Sequence, residues 1–352
     1  MAAEDTIAAS LPGVSVVMPV LNEERHLAAA VGKVLSQDYP GEIEVILAVG
    51  PSKDRTHEIA EELAAGDHRV RVVDNPVGKT PSALNLGIAA AHHDIIVRVD
   101  GHGELTDGYI ERAVELLDQT GAANVGGVMD ARGDTPFEQA VAIAYTTKLG
   151  LGGGAFHLTT SPAGEAETVF LGVFRKKALQ AVGGFDETLH RAQDWELNYR
   201  LRSRGHKIWF SPDLRVTYRP RSSLRALVAQ MYQTGRWRRE VLRRHPGTAS
   251  IRYLAPPVAV LGVGMGTAVG LLGLLTRSRV LRAALLAPGG YSALILAGSV
   301  TAGPMSAAAR LRLPLVLVAT HMAWGLGFLV GLRSAKRADR FDVMSLQTAA
   351  GG

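Results

Sequence analysis

Two rhythms of apolar and polar positions alternate along the first part of the chain. Residues 14–18, Ile43–Val49, 70–73 and 95–100 are short runs dense in Val and Ile, the pattern of strands buried on both faces. Between them the apolar positions shift to helical spacing. Leu27, Val31, Val34 and Leu35 share one face after Asn22-Glu23-Glu24, where Asn22 is expected to cap a helix. Residues 54–65 and 81–91 form the next two helices. Strand and helix alternating at this interval predict βαβ units and a mainly parallel sheet, an α/β fold. Further on, the pattern predicts helices at 109–117, 136–147 and 194–204. It predicts strands at 124–129 and 169–175 and short ones at 208–210 and 216–218. Residues 149–160 are rich in glycine and read either as a lid or as a surface linker.

The rhythm changes again after about residue 250. Residues 254–275, 283–303 and 313–332 are three apolar segments. The first is long and uncharged enough to span a bilayer, and the second is expected to be kinked or re-entrant at Pro288-Gly289-Gly290. Gly262, Gly264 and Gly266 imitate part of a dinucleotide fingerprint, but no strand precedes them. Gly262, Gly266 and Gly270, four apart, instead suit close helix packing. Residues 222–245 form a helix with Arg225, Arg236, Arg238, Arg239, Arg243 and Arg244 on one side. It is expected either to lie on a membrane surface or to pack on the core with a solvated face.

Charge sharpens this division. Residues 1–252 carry nearly all the acids, whereas arginine is the one charged residue type in 253–332. A basic edge beside apolar segments points to anionic membrane lipid and away from nucleic acid. The chain has no cysteine, which excludes disulfides and thiolate metal sites. The first residues lack the pattern of a cleaved signal, so the polar region is expected in the cytoplasm. The expected organisation is a flexible 1–12, an α/β domain over 13–252, a membrane domain over 253–332 and a basic, polar tail over 333–352.

The candidate chemistry lies where the strands end, the usual place for ligands of open α/β sheets. Pro19, Asn22 and Glu23 follow the first strand, and Ser52-Lys53-Asp54 the second. Asn75, Gly78, Lys79 and Asn85 follow the third, and Asp100-Gly101-His102 the fourth. Taken alone, Asp100-Gly101-His102 reads more readily as a capped turn than as a site. Downstream, Asp194 opens a helix, and Gln233, Arg236 and Trp237 stand about one turn apart.

In this order the motifs resemble the family 2 inverting glycosyltransferases of GT-A fold over about residues 13–240. The Arg98-to-His102 stretch is most similar to the bacterial succinoglycan-type exopolysaccharide glucosyltransferases. The resemblance implies a membrane-attached transferase that moves a sugar from a nucleotide-diphospho-sugar, commonly a UDP-sugar, to a lipid-linked or polysaccharide acceptor. It implies Asp194 as general base. Asp100 would hold Mn²⁺ or Mg²⁺ on the donor diphosphate, with His102 as second ligand. Pro19, Asn22, Glu23, Asp54, Lys79, Asn85 and Asp100 would line the nucleotide-sugar site. Gln233, Arg236 and Trp237 would lie near the diphosphate and acceptor, although Trp237 also suits a packing role. Val49-Gly50-Pro51 stand where the family usually has an Asp that reads the base, and His102 where it usually has a second acid. These departures motivate the alternative, a catalytically weak homologue serving as a membrane scaffold or partner subunit. Three apolar segments are too few for the channel of a polymer-extruding synthase.

Overall fold

The computed structural model describes residues 11–151 and 153–332. Residues 1–10 and the 333–352 tail, expected to be flexible and basic, lie outside the described residues. The chain divides into two compact units. The first is built from residues up to 129 together with 160–217, the second from 130–159 together with the residues from 218 onward. Helix 222–245 and the glycine-rich stretch belong with the apolar segments.

The first unit is organised by a sheet in the order β3-β2-β1-β4-β8-β6-β9-β5, with β7 on β9. The strands are β1 Val14–Val20, β2 Ile43–Val49, β3 Val70–Asp74, β4 Ile95–Arg98, β5 Glu104–Leu105, β6 Asn124–Ala131, β7 Gly164–Glu165, β8 Phe170–Arg175 and β9 Ile208–Tyr218. β1 to β4 pair in parallel, joined by α1 Leu27–Leu35, α2 Thr56–Gly66 and α3 Thr80–Ala90, as the alternation predicts. From β8 onward the pairing is antiparallel, so the sheet is mixed. The two short strands expected at 208–210 and 216–218 are one continuous β9. Val14, Val16, Val45, Leu47 and Val97 form the centre of the core, with α1 and α4 (Tyr109–Thr120) laid over it. Two further helices, α6 Lys176–Ala181 and α7 Gln193–Ser203, complete this unit.

Two local expectations change here. β1 runs through Pro19 to Val20 rather than ending at residue 18. Its even residues bond towards β2, as when Val20 accepts from Gly50 N–H, and its odd residues face β4, as when Val17 accepts from Val99 N–H. Register pairs Val17 with Arg98, the last residue of β4, so the missing N–H of Pro19 points past the ladder and costs no bond. Asn22 does not cap α1, which starts at Leu27. Asn22 instead sits in the left-handed region (φ 56°) and serves the loop that follows β1.

The second unit is helical: α5 Pro136–Thr146, α8 Leu224–Arg244, α9 Ile251–Leu275, α10 Arg279–Arg282, α11 Leu286–Thr301 and α12 Ala307–Val330. Three stretches, Ile251–Leu275, Arg279–Thr301 and Ala307–Val330, are long and apolar enough to cross a membrane. The expected break at Pro288 is absent. Pro288 falls in the first turn of α11, where a proline is tolerated. Gly266 and Gly270 pack against Ala284 and Leu285 as their spacing predicts, whereas Gly262 touches nothing. α12 starts before its expected Leu313 and includes Arg310, whose guanidinium donates to the carbonyls of Ser299 and Val300 (2.9 Å each), Ala302 and Gly303 at the end of α11. The glycine-rich stretch is neither a free lid nor a surface linker. His321 on α12 bonds the Leu149 carbonyl (2.7 Å), Leu151 N–H bonds Ala144, and the Leu149 side chain packs on Gly298.

Candidate active site

The first two strand ends are stitched together. Asn22 N–H donates to Ser52 Oγ (3.0 Å), and Asn22 Oδ1 accepts from Lys53 N–H (2.8 Å). Glu23 N–H donates to Thr56 Oγ1 (2.7 Å), and Glu24 N–H donates to Asp54 Oδ2 (3.3 Å). Asp54 in turn accepts from the Thr56 backbone and hydroxyl, across the turn that starts α2. Partial burial by itself would raise the Asp54 pKa, but these hydrogen bonds win and hold it below the usual carboxylate value. Asn22 and Asp54 thus shape the edge of the site. After β3, Asn75 N–H bonds the Val49 carbonyl and its amide nitrogen bonds Lys79 O (3.2 Å), which places Lys79 immediately before α3.

Asn85, on α3, bonds a turn far along the chain. Its amide nitrogen donates to Phe185 O and Glu187 Oε1 (2.9 Å each), and its oxygen accepts from Phe185 N–H (2.8 Å). Both ends of this amide hold the Gly183-Gly184-Phe185 turn. Gly184 sits at φ 70°, and a side chain there would meet the Asn85 oxygen.

Beyond β4, Gly103 N–H closes a turn on Asp100 O (2.8 Å). Glu23 reaches this turn from β1 and bonds His102 Nδ1 (2.8 Å). Gly101 makes room for it: a Cβ there would lie 3.0 Å from Glu23 Cγ. A carboxylate only accepts, so Nδ1 carries the proton and Glu23 fixes the orientation of the ring, as carboxylates commonly do for metal-ligating histidines.

At the centre is Arg98, the last residue of β4 and only 5 % exposed. Its Nε and Nη2 donate to Asp100 Oδ1 (3.1 and 3.0 Å), and its Nη1 donates to Asp194 Oδ1. Asp194 lies in the first turn of α7, as expected, where the helix dipole favours a carboxylate. Its side chain keeps 40 % exposure at the edge of the site. Burial of the rest raises its pKa above the ordinary value; Arg98 opposes this and Asp100 adds to it. Behind Asp194, Arg200 on α7 pairs with buried Glu196 (2.8 Å) and bonds the carbonyls of Val182 and Gly184, so the helix carrying Asp194 is tied to the same turn that Asn85 holds. The sequence reading quoted Arg98 only as part of a motif. Its signal was a charged residue at a position where the strand pattern demands burial.

Among the described residues no three His, Asp or Glu side chains gather to hold a metal by themselves. The donor set nonetheless fits an ion shared with a diphosphate. Both Arg98 bonds fall on Asp100 Oδ1, and no hydrogen bond reaches Oδ2 among the described residues. Magnesium sites commonly take only one or two carboxylates and complete the shell with substrate phosphate.

Gln233, Arg236 and Trp237 lie on α8 in the helical unit. Arg236 Nε donates to Gly331 O (3.0 Å) and Nη1 to Gln233 Oε1 (3.2 Å), and Trp237 is 3 % exposed. Arg239 also donates to Phe328 O and to Leu329 O, so two arginines of the expected basic face cap the last carbonyls of α12. Arg238 is buried over the Tyr253 ring (3.5 Å), and Arg243 and Arg244 pair with Glu240. Arg225, Arg239 and Arg243 nevertheless stay exposed, so the face is part solvated and part spent on packing and capping.

The model of glycosyl transferase family 2 matches residues 15–183. The chain is 34% identical over 318 residues to the succinoglycan biosynthesis protein ExoA of Rhizobium meliloti, covering 89% of this chain and 93% of that protein. It is 24% identical over 252 residues (69% of this chain, 77% of the relative) to a Methanococcus voltae dolichyl N-acetyl-alpha-D-glucosaminyl phosphate 3-beta-D-2,3-diacetamido-2,3-dideoxy-beta-D-glucuronosyltransferase. In structure it is similar to a mannosyltransferase of Pyrobaculum calidifontis solved with GDP-Man and Mn²⁺, at 19% identity and a TM-score of 0.55, over 92% of this chain and 87% of that one. The fold is GT-A, with apolar helices following it.

Proposed function

The chain belongs to glycosyl transferase family 2, and from that premise we propose that it is a membrane-attached, inverting transferase. It moves a sugar from a nucleotide-diphospho-sugar to a lipid-linked or polysaccharide acceptor, in exopolysaccharide or cell-envelope glycan synthesis. The observation that carries the reading is the meeting of Asp194 and Asp100 on one buried guanidinium at the carboxyl edge of the parallel strands.

In this reading Asp194 is the general base. The acceptor oxygen bonds to the anomeric carbon from the face opposite the diphosphate, Asp194 takes the hydroxyl proton, and the carbon–oxygen bond to the diphosphate breaks with its electron pair on the leaving group. Asp100 and His102 would hold a divalent ion, Mn²⁺ or Mg²⁺, which supplies charge neutralisation on the departing diphosphate. An imidazole ligand favours Mn²⁺. Pro19, Glu23 and Lys79 face the nucleotide, while Asn22 and Asp54 set the shape of its loops. Gln233, Arg236 and Trp237 act from α8, where Arg236 also bonds the Gly331 carbonyl that follows α12 and Trp237 is buried. The apolar helices attach the enzyme to the cell membrane as a multi-pass protein with its catalytic domain in the cytoplasm. The relatives' printed names, succinoglycan biosynthesis and transfer to a dolichyl phosphate-linked sugar, support a glycan or lipid-linked acceptor. The donor is a UDP-sugar in this reading.

Release of nucleoside diphosphate by membranes containing the protein, across a panel of donors with Mn²⁺ or Mg²⁺, tests this. Asp194→Asn is expected to lower transfer by about 10³-fold, within the range for loss of a general base. If no donor turns over and Asp194→Asn matches the wild type in cells, the scaffold alternative takes its place.

A further inference from the structure

The site reading above assigns Asp194 and Asp100 but gives no role to the group between them. We propose that Arg98 is a positioning residue that fixes the base and the metal-binding acid relative to each other; the proposal rests on the roles proposed for those two aspartates.

Asp100 follows β4 and Asp194 opens α7, elements far apart in the chain. Their backbone segments are held separately, one by the Gly103 turn and the other by Arg200, and two carboxylates brought together repel. Arg98 bridges them with two different edges of one planar group. Nε and Nη2 grip a single oxygen of Asp100, and Nη1 grips Asp194. A guanidinium does not lose its proton in a protein, so the bridge holds a constant charge. Its own position is fixed because the side chain lies inside the sheet, 6 % exposed, on a strand paired to β1 and β8. Because both bonds to Asp100 fall on Oδ1, Oδ2 can engage an ion without breaking the bridge. The bonds of Arg98 go to the two acids. It acts through them.

A lysine keeps the charge but has no fork, so it cannot hold both carboxylates in fixed geometry. Arg98→Lys is therefore the decisive variant, with Arg98→Met as the stronger lesion. The full chain in membranes or detergent is assayed for nucleoside diphosphate release and transfer, per folded molecule. The folded fraction is measured by circular dichroism and thermal unfolding. For Arg98→Lys, kcat is expected to fall about 10²-fold, as for a reacting group displaced by about 1 Å. The Mn²⁺ half-saturation is expected to rise about 10-fold, as when a group that orients a ligand is lost. In an Asp194→Asn background the kcat cost of Arg98→Lys should largely vanish, because the group it positions is gone. If Arg98→Lys lowers only the amount of folded protein, with kcat and Mn²⁺ half-saturation per folded molecule unchanged, Arg98 merely neutralises buried acids and the proposal is overturned. An inactive wild type across all donors overturns the transferase reading instead, so the two failures are distinguishable.

Discussion

The two units solve different packing problems with different chemistry. In the sheet unit, charged side chains at strand ends are buried and paired one by one. Arg98 bridges two acids at the carboxyl edge, and Glu44 anchors the opposite edge. There Glu44 accepts from Ser15 Oγ (2.5 Å), from His92 N–H (2.6 Å) and from Arg71 Nη2 (2.8 Å). In the helical unit the arginines turn to backbone carbonyls, and the closest contacts are between main chains. A Cβ on Gly235 of α8 would clash with the Trp324 carbonyl of α12, and one on Gly327 of α12 with the Tyr232 carbonyl of α8. The difference teaches where each unit is vulnerable. The first depends on the charge state of a few side chains, the second on the absence of side chains at a few positions.

The strongest test of this contrast is Gly327→Leu. No rotamer relieves a Cβ placed against a backbone carbonyl, so α8 and α12 must separate. Overpacking of this kind costs about 3 kcal/mol, at the upper end of its usual range. The expected outcome is loss of most folded protein in a detergent thermal-unfolding assay, with no dependence on pH. A variant that melts like the wild type would mean that the helical unit does not rely on this approach.

The sheet unit should respond to acid. Burial alone would raise the Glu44 pKa, yet the bonds from Ser15, His92 and Arg71 bring it from 4.5 down to about 2. A carboxylate whose folded pKa is depressed contributes stability above its unfolded pKa and loses it as pH falls through the folded value. The contribution is on the order of 3 kcal/mol, and it should fade between pH 4.5 and about 2. Glu44→Gln is expected to lower stability at neutral pH and to flatten this acid limb, read by near-ultraviolet circular dichroism across the titration. An unchanged acid limb would remove Glu44 from the account.

Legibility in the sequence followed the same divide. The parallel strands and their helices were plain because β-branched runs and helical spacing are strong local signals. The positions of Asp100, His102 and Asp194 at a strand end and a helix start were legible because those are local features too, whereas their roles are what the resemblance implies. Arg98 and Glu44 were not assigned roles, since a charged residue in a strand announces nothing about its partners, which lie 96 and 29 residues away. The partners of Asn85 were hidden for the same reason: they come from a turn about 100 residues downstream. In the helical unit the apolar lengths were readable, but α12 was taken to begin at Leu313. Arg310 fell between the second and third expected apolar segments, and its partners, the carbonyls of α11, are not local to it.

The smallest expected effect bears on the one motif that the two kinds of chemistry share. Arg236 belongs to the Gln233–Trp237 pattern proposed to serve the diphosphate and acceptor, yet it spends one bond on Gly331 O and another on Gln233. If capping α12 is its main task, Arg236→Ala should cost about 1 kcal/mol, the usual net value of such a hydrogen bond, and leave kcat per folded molecule within about threefold of the wild type. If it also serves the leaving diphosphate, kcat should fall by far more than the loss of stability explains, since a transition-state charge contact is worth about 10²-fold. Measuring unfolding and turnover on the same preparation separates the two. A large kcat loss with unchanged melting would move Arg236 from the backbone-capping arginines of the helical unit to the company of Arg98.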